Sequence, residues 1–259
     1  HNVKLNGGGV MVRLAGENQV SGEFIFGHRG GVVDMYGHNL TLNAITHLDS
    51  GAVFANYLGN STVTLTFTGS GEQTFLGALR DGEAASRGLM NVVYAPGTAE
   101  GSVWNLAGHI LNTGTWTVQG GEVKVAGVHT LHAGGYVDEN DWQMASFSTG
   151  TVQVNSGARF TTGGHSLVVS AVQVDDGGTY GVLAGGNHSG NVVLSGTASM
   201  FRAEVDSGSA TESGVISGAG SLVKTGEGTL LLKNGNNSFS GTATVEEGLV
   251  RASSAGALG

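Results

Sequence analysis

Between residues 61 and 68 the chain alternates without a break: Thr62, Thr64, Thr66 and Thr68 stand between Val63, Leu65 and Phe67. A period of two puts the threonines on one side of an extended segment and the apolar residues on the other. That predicts a strand with one wet and one packed face. Shorter segments of the same kind recur at residues 10–14, 23–26, 92–94, 102–106, 114–118, 122–126, 151–154, 158–161, 167–169, 172–174, 192–194 and 200–204. Gly and Asn stand at the breaks, and these residues enter turn backbone at least cost.

The pattern is most regular in residues 218–259. Leu222, Leu230, Leu232, Val245 and Leu249 are expected to point inward and stack on successive coils. Gly226, Gly228, Gly241 and Gly248 are expected to hold the turns, some at positive φ. The gaps between strands are too short, and too rich in Gly and Thr, to hold the helix of a βαβ unit. What remains is an all-β chain of strands wound in one direction, a parallel β-helix whose single inward row makes a thin continuous core. At roughly 20 to 25 residues per coil and about 4.8 Å per rung, it predicts on the order of ten coils and a rod roughly 50 Å long. Residues 80–91 break the strand pattern with charge, Gly and Ala and read as a surface loop, as does the acidic stretch at 133–141.

Composition narrows the picture. The 47 glycines follow no three-residue period and 39% of the chain is hydrophobic, which excludes both collagen and a disordered linker. Eleven basic against 20 acidic residues, net −9, argue against nucleic acid or an anionic membrane as partner. No cysteine is present, so the core must suffice through length rather than crosslinks. No apolar run approaches the roughly 20 residues of a membrane span. His1 opens no signal peptide, and the chain reads as a fragment trimmed at both ends.

Residues 218–259 resemble the passenger-associated repeat of bacterial autotransporters, through Leu222, Lys224, Gly226, Gly228, Leu230, Leu232, Gly241, Val245, Gly248 and Leu249 in order. Upstream, Gly30, Gly31, Asp34, Gly37, His38, Leu40, Ile45, Asp49, Gly51, Ala52 and Asn56 are similar to a landmark in the β-helix of the immunoglobulin A protease type of autotransporter, which includes the enteric serine protease autotransporters. Gly127, His132, Ala133, Asp141, Trp142 and Phe147 resemble a third landmark of that type. Met35 and Tyr36 stand where the family usually has Leu-Asn, a departure from its pattern.

Asp206-Ser207-Gly208-Ser209 resembles the nucleophile motif of trypsin-like proteases, but Val205 and Ala210 replace its flanking Gly and Pro, and a turn is the expected reading. Asp49-Ser50-Gly51 falls the same way. The nine histidines (His1, His28, His38, His47, His109, His129, His132, His165 and His188) form no i, i+4 helical pair; His129 and His132 near Asp138 and Asp141 are the one candidate metal cluster, with a solvated loop the expected reading. Asp138-Glu139, Asp175-Asp176 and Glu246-Glu247 are the candidate carboxylates for glycan cleavage, yet adjacent strand residues point to opposite faces, so they read as turn carboxylates. No catalytic, cofactor or metal residue is assigned.

The resemblance implies a right-handed parallel β-helix from a secreted passenger: residues 1–217 a stalk, residues 218–259 autochaperone-like last coils. It also implies a trypsin-like serine protease domain upstream, absent from this chain, a C-terminal outer-membrane β-barrel translocator as partner, and a place outside the bacterial cell. The alternative is an adhesive passenger that binds host matrix proteins or its own copies through the rod's face, where polar alternating rows can associate through many weak hydrogen bonds.

Overall fold

The computed structural model describes residues 2–20, 22–47, 51–82, 88–126, 147–164 and 166–259. Among them every strand pairing is parallel and no helix occurs, as the alternation and the short gaps require. The chain winds into a β-solenoid of about ten coils. One face is an eight-stranded sheet that includes Val103–Leu106, Glu122–Val125, Arg159–Thr161, Thr179–Leu183, Met200–Glu204 and Ser221–Thr225.

The other two faces join into one 18-stranded sheet because Phe147–Val154 and Ser166–Val174 run through the corner between them. Residues 167–169 and 172–174, expected as two strands, are therefore halves of one. Leu167, Val169, Val172 and Val174 are all buried, so the alternation loses one step at residues 170–171, where the chain rounds the corner.

Successive coils stack like on like. Val33, Phe54, Leu79 and Ile110 are register partners in one inward row, each 1% exposed or less. Each such side chain contributes about 1.5–3 kcal/mol through burial. Val63, Leu65 and Phe67 are buried while Thr62 is exposed and Thr64 and Thr66 half-buried, as the alternation predicts.

Buried Asx side chains close the corners. Asn56 and Asp81 are register partners at the ends of Ala52–Asn56 and Ala78–Asp81. The Asp81 carboxylate accepts the N–H of Met90 and of Thr113, each at 2.8 Å; Asn56 accepts the Gly37 N–H at 3.1 Å and donates to the Leu89 carbonyl at 3.1 Å. Backbone groups that leave the ladder at the corner thus find partners inside the protein.

Two expectations need correction. Strands enter the predicted 80–91 loop from both sides: Ala78–Asp81 takes Arg80 and Asp81, and Leu89–Tyr94 begins at Leu89; residues 83–87 lie outside the described residues. Leu222, Leu230 and Leu232 are fully buried, but Leu249 pairs with outward Thr229 and is 55% exposed; Val250, partner of Leu230, continues the inward row instead. Val245 does continue the inward row of Lys224, while Ala243 continues that of Leu222, yet Val245 sits in the last coil and is 50% exposed. Gly226 (φ 76°) and Gly248 (φ 72°) adopt the left-handed region. Gly228 and Gly241 are needed for space: a Cβ at 241 would lie 2.3 Å from the Gly220 carbonyl oxygen.

Tyr36, where the resembled family carries Asn, has φ 43°, a conformation Asn tolerates better than Tyr. The Arg13 guanidinium lies 4.1 Å from its ring centre and bonds Asp34 at 2.7 Å, an attraction that Asn could not make.

Candidate functional site

The outer side of the eight-stranded sheet carries a cluster of charged side chains. Gly181 leaves a notch in the Thr179–Leu183 strand, where a Cβ would sit 3.4 Å from the Arg159 guanidinium. Arg159 crosses that notch to reach Glu204, 45 residues on, with Nη2 2.5 Å from Oε2. Its Nε lies 3.3 Å from Glu122, and Arg202 donates to Glu204 at 2.6 Å, so four side chains from three coils form one chain of ion pairs. Burial works against the charge on Glu204, but the bonds from Arg159 and Arg202 outweigh it and hold its carboxyl below the usual range. Beside this network runs an open groove of about 740 Å³, lined among others by Lys124, Glu204, Asp206 and Thr225. Acidic and basic groups here neutralise each other, which suits a rigid outer face more than capture of a charged ligand.

A second polar centre lies inside. His188 and Glu212 are inward-facing register partners, 0% and 1% exposed, with Nδ1 2.8 Å from Oε2. The other carboxylate oxygen accepts the Gly214 N–H at 2.9 Å, and the Tyr180 ring meets the imidazole edge-on at 5.3 Å. Burial pushes the Glu212 carboxyl above its usual range, against the pull of His188 and of the Gly214 and Ser213 N–H groups. Lys224 is also fully buried; its ammonium donates to the carbonyls of Thr225 and Gly226 at 2.6 Å and of Glu247 at 3.3 Å. The sequence reading has His188 only as one scattered histidine and Lys224 only as a repeat residue, and it passes over Glu212, because a charged residue in an alternating strand reads as solvated. The phase of the alternation was the available signal: Lys224 stands two residues from Leu222, and Glu212 two from Ala210.

The residues singled out for chemistry are scattered. Asp206, Ser207, Gly208 and Ser209 are exposed where the chain turns between Met200–Glu204 and Ser209–Glu212, with Gly208 at φ 66°. Asp175 and Asp176 stand at a turn, where Asp176 accepts the Ala198 N–H at 2.8 Å; Glu246 and Glu247 lie in an exposed bend. Asp49-Ser50, His129, His132, Asp138, Glu139, Asp141 and Trp142 lie outside the described residues, as do His1 and His165. His28 is exposed, His38 and His47 half-buried and His109 buried, each on a different coil from His188.

Residues 88–183 match the family model described as the PIC/HAP1/IgA0 second beta-solenoid repeat region, and residues 222–252 match that of the passenger-associated-transport-repeat. The chain is 27% identical over 165 residues to the adhesion and penetration protein autotransporter of Haemophilus influenzae, a match that covers 56% of this chain and 12% of that protein. Its fold is similar to the crystal structure of the Haemophilus influenzae Hap adhesin, with a TM-score of 0.57 and 18% identity, covering 88% of this chain and 32% of that one. The chain thus spans a small part of the relatives it matches. Both passenger models thus match in order on one continuous parallel solenoid, and the chain is similar in sequence and fold to autotransporter passengers, which are secreted through the outer membrane and exposed at the cell surface.

Proposed function

We propose that this chain is the stalk of a secreted passenger whose coils at residues 218–259 nucleate its folding. The contrast between Lys224 and Val245 carries the reading. They are neighbours in one inward row, and the covered one is fully buried while the one at the edge is half exposed. A coil therefore gains most of its burial only when another coil lies against it, so a preformed end acts as a template. The passenger-associated-transport-repeat match at 222–252 supports placing that template at this end. On this reading the parent carries a C-terminal outer-membrane β-barrel translocator, and a trypsin-like serine protease domain upstream that cuts host or surface proteins. The latter assignment rests on the resemblance of Gly30 to Asn56 and of Gly127 to Phe147 to the immunoglobulin A protease type.

Limited proteolysis of truncations tests the nucleating end. A chain ending at residue 217 is expected to lose protection throughout its remaining coils, while one lacking residues 1–60 should keep a resistant core containing 218–259. Digestion of the repeat first, with the N-terminal half surviving, would overturn the assignment. The protease assignment is tested separately: the parent should cleave casein.

An adhesive role is the second reading, favoured by the names of the matched relatives and by the outward row in which Thr41 partners Thr66. Cells displaying an adhesive rod should aggregate, and changing Thr62, Thr64 and Thr66 to Lys should disperse them through like-charge repulsion. If such cells stay dispersed from the outset, the stalk reading stands alone.

A further inference from the structure

The coils of this chain are hard to tell apart by their apolar residues. In the row Leu167, His188, Glu212 and Leu232, each residue is the register partner of the next. Were all four aliphatic, the Ser209–Glu212 strand could slide two residues along Asn187–His188 and still keep inward residues inward, because side chains alternate with period two. Ala210 would then face residue 188 in place of Glu212, and hydrophobic burial alone would discriminate weakly between the two arrangements.

We propose that the buried His188–Glu212 pair is a register key, which fixes how the coils of the C-terminal third stack as they add to one another. The bond has one geometry. Glu212 is held at its second oxygen by the Gly214 N–H, and the imidazole is closed off by the edge-on Tyr180 ring. Both side chains are at most 1% exposed, so a two-residue slip strands two polar groups away from water and from each other. A leucine in either place carries no such penalty, since one aliphatic neighbour serves as well as another. A buried polar pair inside an otherwise apolar row discriminates in the way that a single buried Asn sets the register of a coiled coil.

The absence of cysteine makes the test direct, because introduced cysteines report register without background. Asn187 and Thr211 are outward-facing partners, so N187C with T211C traps the native register and N187C with S209C traps a two-residue slip. Each pair is placed in the 259-residue chain, unfolded in urea, and refolded under a glutathione redox buffer, and crosslinks are mapped on non-reduced peptides. With His188 and Glu212 intact, the native pair should oxidise fully and the slipped pair stay at background. In the His188→Leu, Glu212→Leu background the slipped crosslink is expected to rise roughly tenfold or more, as expected when a buried paired interaction no longer separates two states. Glu212→Gln, which keeps an acceptor for the imidazole, should behave like the unaltered core. A slipped crosslink that stays at background in the double leucine chain overturns the proposal, as does one that forms as freely in Glu212→Gln as in the double leucine chain.

Discussion

Trp104→Ala is expected to destabilise the solenoid by about 3–5 kcal/mol. The indole is 1% exposed and is the hub of the aromatic core: its ring lies 4.7 Å from Phe67, 5.7 Å from Tyr94, 5.7 Å from Trp116 and 6.5 Å from Phe75. Those four rings come from different strands, each tied into its own parallel ladder, so they cannot close together over the space that alanine leaves. The neighbouring Val103 faces outward on the same strand, and Val103→Ala should cost less than about 1 kcal/mol. Urea unfolding followed by far-ultraviolet circular dichroism, which does not depend on the indole, distinguishes the two. A loss at Trp104 no larger than at Val103 would mean that the aromatic cluster is a passive filler.

The architecture was legible because it depends on few properties: a period of two, short gaps, and Gly or Asn at the breaks. The Thr-Val-Thr-Leu run at 62–67 is a strand with the predicted faces, and the absence of room for helices left a parallel coil as the fold. Two strands are hidden by a charged residue or by a glycine. Ala78–Asp81 was read as entering a loop because Arg80 and Asp81 are charged, yet Asp81 is 5% exposed and serves the backbone of the next coils. Thr179–Leu183 was obscured by Gly181, whose missing side chain is what lets Arg159 cross to Glu204. Leu249 is expected inward as one of the short apolar alternations of the repeat. The pairing with Thr229 shows that hydropathy without register assigns a face only where several alternating residues agree, and Leu249-Val250 offers two adjacent apolar residues for one inward position. Little of the candidate site could have been read beforehand, because Arg159 joins Glu122 and Glu204, 37 and 45 positions away, through stacking, a distance that no local pattern encodes.

Replacing His188 and Glu212 singly and together is expected to give effects of opposite size. His188→Leu leaves a carboxylate buried without its partner, a loss of about 3–5 kcal/mol. Glu212→Leu leaves the imidazole N–H without an acceptor, a loss of about 1–3 kcal/mol. The double leucine chain continues the row from Leu167 to Leu232 and should lie close to the unaltered stability or about 1–4 kcal/mol above it, since neither group then has to be desolvated. The pH dependence carries the same sign. Burial raises the folded pKa of Glu212 above its ordinary 4.5, so the proton on this group stabilises the fold fully below that value, and the contribution is lost as pH climbs through the raised pKa. The groups facing it are His188 and Tyr180. The unaltered chain should therefore lose stability from this site as pH rises above 4.5, while the double leucine chain should lack that component of the slope. Urea midpoints for the four chains, measured across that range, check both statements at once. If the double variant loses as much as the sum of the singles, the pair contributes net stability rather than specificity, and the desolvation of Glu212 is not the dominant cost.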